Sequence, residues 1–329
     1  MRRRDFIKAI AGSAAAWPLT VRAQQGERMR RLGIIMGTAA EEPETKARIT
    51  AFLQELKHLG WAEGRNVRIE MRASAGNTGA ARKYAAELVA FAPDVILGVG
   101  GSQIGPLLEA THTVPIVFTI TADPVGNGLV DSLARPGGNV TGFMSFEYSL
   151  TGKWLELLKE IAPSVTRAAV LRDPAFPAGI GQFAVIQILA PPLRLDVSAI
   201  NVRDPREIER AVATFARLAN GGLVAAASPG TVTHRDLIVA LADRYKLPTV
   251  YWEPTFVTNG GLIAYGTDLI DQHRQAASYI DRILKGEKPA DLPVQAPNKY
   301  ELAINLKTAK ALGLIVSPAL LARADKVIE

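Results

Sequence analysis

From Arg31 onward the chain alternates short apolar runs with longer segments of helical period, and that alternation restricts the fold more than any single motif does. Short buried strands separated by amphipathic helices are the pattern of βαβ units. Such units satisfy their backbone in a mostly parallel sheet with helices on both faces. Candidate strands fall at 32–36, 67–71, 95–99, 116–118 and 140–143, with helices over 44–58, 79–90 and 103–110. In the first helix Ile49, Phe52, Leu53, Leu56 and Leu59 recur at helical spacing and Gly60 ends it. The pattern then restarts: helix 152–161 is stopped by Pro163, and strands at 168–171, 195–200, 222–226, 249–251 and 262–265 alternate with helices over 181–189, 205–219 and 233–245. The fold class expected is therefore α/β, two doubly wound halves in series. Ligands of such open sheets sit beyond the carboxyl ends of the strands, so two facing halves would share one cleft.

The first residues, MRRRDFIKAIAGSAAAWPLTVRAQQ, have a different character. A basic start (Arg2, Arg3, Arg4, Lys8) leads into an apolar run over 9–19, and Val21-Arg22-Ala23 offers a small-x-small cleavage site. The pair Arg3-Arg4 followed by Asp5-Phe6-Ile7-Lys8 has the twin-arginine pattern, so residues 1–23 read as a signal peptide cleaved after Ala23, with a periplasmic mature chain and the twin-arginine export machinery as a partner. The apolar run falls short of the roughly 20 residues a spanning helix needs, so no stable membrane insertion is expected. A lipid anchor would need a cysteine, and the chain has none.

Composition excludes further classes. The leader holds five basic residues against Asp5 and so accounts for four of the formal +6, and no basic cluster suited to nucleic acid remains. Zero cysteines removes disulfides, thiolate nucleophiles and Cys-bound zinc. The four histidines, His58, His112, His234 and His273, show no metal-binding spacing, so neither metal nor cofactor is expected. No GxSxG elbow occurs, and His234 and Asp236 sit too close together to serve Ser228 as a triad, which argues against an enzyme.

Several strand-end residues have chemistry suited to a small solute. Gly98-Val99-Gly100-Gly101-Ser102 fails as a dinucleotide fingerprint because position 103 is Gln103, and reads instead as a tight turn whose amides and Ser102 hydroxyl could take an anion or merely cap a helix. Thr38 follows the first strand. Asp123, before Pro124, either pairs with a ligand ammonium or caps the next helix. In the second half Asp173, Phe176, Ser228, Glu253, Tyr265 and Asp268 lie at strand ends, where Phe176 could stack on an apolar ligand body or pack on its own lobe. Packing is also the simpler role for Trp252.

Three segments, Ala122-Asp123-Pro124-Val125-Gly126, Arg135-Pro136-Gly137-Gly138-Asn139-Val140-Thr141-Gly142 and the tail from Ile283 through Leu314, carry a resemblance that spans essentially the whole chain. The sequence resembles periplasmic substrate-binding proteins of ABC importers with the type I binding-protein fold, in the group related to tryptophan- and tyrosine-binding receptors. Pro191-Pro192 and Gly100-Gly101-Ser102-Gln103 depart from that pattern. The resemblance implies an N-terminal lobe of residues 28–141 plus 268–291 and a C-terminal lobe of 142–267 plus 292–329, joined by three crossovers with hinges at Gly142 and Gly266. It implies a receptor that captures a small organic solute, an amino acid or an aromatic or carboxylate-like molecule, and delivers it to an ABC permease with its cytoplasmic ATPase. A ligand-sensing module for a chemoreceptor or sensor kinase is the alternative, and a periplasmic hydrolase a more remote one. A DNA-binding regulator of related fold would need a helix-turn-helix where this chain has an export signal.

Overall fold

The computed structural model describes residues 28–174 and 177–329, so the leader and Phe176 lie outside the described residues. The first half supplies strands β1 (Arg30–Met36), β2 (Val67–Ala73), β3 (Val95–Val99), β4 (Ile116–Ala122) and β5 (Val140–Phe146), with helices α1 (Pro43–His58), α2 (Thr78–Ala90) and α3 (Ile104–Ala110) between them. All five strands are parallel, in the order β2-β1-β3-β4-β5. Strand alternation decides which residue faces which helix layer. Leu32, Ile34, Met36, Val95, Leu97 and Val99 face one core, while Ile35 and Ile96 face the other with Leu88, Ile104 and Leu107.

The second half supplies α4 (Leu150–Ile161), β6 (Arg167–Arg172), α5 (Pro177–Leu189), β7 (Asp196–Asn201), α6 (Pro205–Phe215), β8 (Gly221–Ala225), α7 (Pro229–Thr233), α8 (Arg235–Arg244), β9 (Thr249–Tyr251), α9 (Thr255–Thr258) and β10 (Ile263–Thr267). Local chemistry sets these boundaries. In α6, for example, the Asp204 carboxylate accepts from the amides of Arg206 and Glu207, Pro205 occupies the first turn, and Ile208, Val212 and Phe215 form the buried stripe. The chain then returns to the first half as α10 (Leu269–Leu284), which packs Ala276, Ala277, Ile280 and Leu284 against Ile49, Phe52 and Leu56 of α1. It finally crosses back to form β11 (Tyr300–Asn305), α11 (Leu306–Ala311), α12 (Pro318–Leu321) and β12 (Lys326–Ile328).

Three features differ from the sequence-based expectation. The second sheet, ordered β12-β11-β10-β9-β8-β6-β7, is parallel except where β11 runs antiparallel to β10, a strand the sequence reading did not find. Strand β5 stays in the first sheet through Phe146, so the chain leaves that lobe after Phe146 and not at Gly142. Gly142 and Gly266 both lie inside paired strands, and their missing side chains serve close approach: a Cβ would come within 2.2 Å of the Phe118 carbonyl oxygen at the first and 1.8 Å of the Trp252 carbonyl oxygen at the second. The segments that actually pass between sheets are 147–149, Asp268 and 296–299. Among the described residues no helix is long and apolar enough to cross a membrane, and no cluster of side chains suits a metal ion.

Candidate functional site

In each sheet the strand order reverses at one point, between β1 and β3 in the first and between β6 and β8 in the second. At such a point the connections leave toward opposite faces and open a crevice beyond the strand ends. The two crevices face each other across a cavity of about 50 Å³. The first lobe contributes Gly37 and Thr38 after β1, Gly100 and Ser102 after β3, and Ile120 of β4; the second contributes Ala178, Ala227, Ser228, Val232 and Trp252. The lining is mostly apolar with a few hydroxyls, as small-molecule sites usually are.

Each hydroxyl is held in place from behind. Thr38 Oγ1 shares a 2.6 Å hydrogen bond with Thr45 Oγ1 of α1. Ser102 Oγ accepts from Gln103 Nε2 at 2.9 Å, while Gln103 Oε1 accepts from Ser74 Oγ at 3.2 Å. Ser228 caps α7 by accepting from the Thr231 amide at 3.2 Å. Trp252 is 5% exposed, and its indole Nε1 is buried without a hydrogen-bond partner among the described residues.

Two buried ion pairs close the cleft beside this cavity. Arg48 Nη2 of α1 donates to Glu253 Oε1 of the second lobe, and both side chains are 5% exposed. One turn earlier on α1, Glu44 Oε1 accepts from Arg235 Nη1, the first residue of α8. Burial raises the Glu44 carboxyl, but the hydrogen bond from Arg235, a backbone hydrogen bond and the charges of Arg235 and Arg48 together outweigh it and hold the group below the ordinary carboxylate value. Behind Arg48, burial pushes His273 down to about 3, helped by the Arg48 charge. The imidazole is therefore neutral at pH 7, donating from Nδ1 to the Leu269 carbonyl oxygen at 2.7 Å and accepting from Thr119 Oγ1 at 3.3 Å.

The structure brings Thr38, Ser102 and Ser228 to the cavity and puts the other candidates elsewhere. Gln103 is buried behind Ser102. Asp123 is not at the cavity wall; with φ of 43° it closes a tight turn by accepting from the Gly126 amide at 2.9 Å, and Pro124 is buried beneath that turn. Asp173 is half-buried, with its carboxylate 3.9 Å from Arg203. Tyr265 stacks on Tyr300 at 5.6 Å between centroids, and its carbonyl accepts from Trp154 Nε1. Glu253 and Asp268 line a separate crevice of about 340 Å³ with Glu44 and Glu301; there Asp268 caps α10 and pairs with Lys299 at 3.2 Å. The residues missed were Arg48, Glu44 and Arg235. A signal existed for Arg48, a charge on the same stripe as Thr45, Ile49, Phe52 and Leu56, where only a paired cation is tolerated.

A family model described as ABC transporter substrate binding protein matches residues 35–328. The chain belongs to that family. This substrate-binding protein is 24% identical over 288 residues to a tyrosine-binding protein of Clostridioides difficile (strain R20291), covering 88% of this chain and 82% of that one. Its fold matches an ABC domain in complex with L-Trp from Streptococcus pneumoniae with a TM-score of 0.84 at 24% identity, over 91% of this chain and 99% of the other. The match to the ligand-free, open structure of a substrate binding protein with adhesive properties from Clostridium difficile gives a TM-score of 0.67 at 23% identity, over 91% and 99%.

Proposed function

We propose that this substrate-binding protein is exported by the twin-arginine route, works in the periplasm after cleavage at Ala23, and closes two lobes over a small organic solute for delivery to an ABC permease and its cytoplasmic ATPase. The solute class is an amino acid or an aromatic or other small carboxylate, the class that the names of the tyrosine- and tryptophan-binding relatives suggest. The carrying observation is that both topological switch points open onto one apolar cavity, with ion pairs spanning the lobes at its edge. Thr38, Ser102, Ser228 and Trp252 are the proposed contacts, and the segments 147–149, Asp268 and 296–299 absorb the hinge motion. Closure makes function possible because a permease can distinguish states only if the solute favours one of them. No chemical step is assigned to the site.

The test is a thermal-shift and calorimetric screen of the mature chain against amino acids and small organic acids. A solute at 100 times its dissociation constant stabilises by about 2.7 kcal/mol, a readily measured shift. Turnover of a bound compound, or no binding across these classes, would refute the reading.

A further inference from the structure

Strand β4 departs from regular geometry where it meets the cavity. Its pairing with β5 is even from Ile116 to Phe118 and then slips: β4 advances three residues, from Phe118 to Thr121, while β5 advances two, from Gly142 to Met144. The extra residue makes a bulge, a device that re-aims a side chain. Within it Ile120 has φ of 52°, a left-handed conformation that a β-branched residue avoids. Every other residue of β4 is buried, whereas Ile120 is half-buried, lines the solute cavity and packs against the cores of both lobes.

Strain of this kind persists only where the surroundings over-determine it. Here the helix that returns from the second lobe does so. Gln272 of α10, itself buried, accepts from the Ile120 amide through Oε1 at 2.9 Å and donates from Nε2 to the Met144 carbonyl oxygen at 3.0 Å, so one side-chain amide ties the bulge to the neighbouring strand. The next residue, His273, accepts from Thr119 Oγ1 at 3.3 Å, and the Thr119 carbonyl accepts from the Gly100 amide at 3.0 Å. Gln272 does not line the solute cavity, so it bears on a solute through Ile120.

Resting on the receptor reading above, we propose that Ile120 sets the upper size of the solute's apolar body and that Gln272 is the positioning residue that holds it in that role. The left-handed backbone keeps an aliphatic side chain in the seam between the lobes, where closure presses it against the solute. A bulkier solute would have to displace a side chain that both cores and a buried amide hold in place, and overpacking of that kind is costly.

The experiment is calorimetry on the mature protein with two series of increasing bulk: L-alanine, L-leucine, L-phenylalanine, L-tryptophan and L-biphenylalanine, and the same acids without the amino group. Ile120→Gly adopts the same φ without strain and removes the side chain. It should move tightest binding to a bulkier member, whose affinity relative to the parent's best ligand rises at least about 10-fold. Gln272→Leu keeps the bulk and removes both hydrogen bonds, and should weaken the parent's best ligand about 10-fold; Gln272→Asn, too short to reach both partners, serves the same arm if Gln272→Leu does not fold. Combined with Ile120→Gly, the Gln272 substitution should change affinity by no more than about twofold, because glycine holds that φ unaided. An unchanged size order in Ile120→Gly, or a parent that already binds the bulkiest member best, overturns the inference and leaves the receptor reading intact. An equal loss from the Gln272 substitution with and without Ile120→Gly overturns the positioning role. No binding by the parent across both series removes the receptor reading and the inference with it.

Discussion

Glu44→Gln should open the cleft of the solute-free protein. Glu44 lies outside the solute cavity, and its carboxylate is held by Arg235 from the opposite lobe. The substitution keeps shape and leaves one neutral hydrogen bond where a charge-assisted one stood. Such bonds contribute about 1.5–3 kcal/mol, against about 1 kcal/mol for a neutral pair, so the net loss is about 0.5–2 kcal/mol. At about 1.4 kcal/mol per decade the closed-to-open ratio falls roughly 2- to 30-fold. The larger cost of a stranded buried cation does not appear, because opening returns Arg235 to water. Small-angle scattering of the solute-free protein should show a larger radius of gyration, and calorimetry should show weaker apparent affinity, because only the competent fraction binds. The exchanged double variant, Glu44→Arg with Arg235→Glu, should recover part of both. An unchanged radius and affinity together with a lowered melting temperature would show that the pair merely stabilises a static body, and the closure argument would fail.

Three further outcomes follow from the same geometry. His273 is held neutral at about 3 against an ordinary 6.5, so the folded state binds fewer protons than the unfolded; its contribution is complete above pH 6.5 and is lost as pH falls toward 3. Urea unfolding at pH 7 and pH 5 should therefore differ by about 2 kcal/mol, and a His273→Gln variant with the same difference would refute the assignment. Gly266→Ala drives a Cβ onto the Trp252 carbonyl oxygen and should cost about 3 kcal/mol by thermal or urea unfolding, with weaker solute binding because Trp252 moves; a variant as stable as the parent would contradict the packing role. Asp123→Ala removes a turn bond and places alanine at φ of 43°, so stability should drop by about 1 kcal/mol while solute affinity stays within twofold. A large affinity loss with intact stability would restore Asp123 as a contact.

The five strands of the first sheet were readable because their alternation is local and each is bounded by turn residues; 95–99 coincided with β3, and the others ran longer in the structure. The resemblance and the family match agree on what kind of chain this is. β11 was missed although Tyr300, Leu302 and Ile304 alternate with Glu301 and Asn305; its antiparallel pairing with β10 is what no local pattern carries. Asp123 could not be assigned from sequence, since a carboxylate after a strand serves a ligand or a turn equally well and only the 2.9 Å contact to Gly126 decides.

Periodicity, turn residues and composition thus determined most of the secondary structure, the α/β class and the paired lobes, though not β11 or the full strand lengths, because each depends on residues a few positions apart. The tertiary structure alone decided what faces the solute cavity. Arg48 meets Glu253 across 205 positions and Glu44 meets Arg235 across 191, so those charges find each other only when two separately folded lobes come face to face. A carboxylate's role there depends on which cation the opposite lobe presents, and no local pattern encodes that.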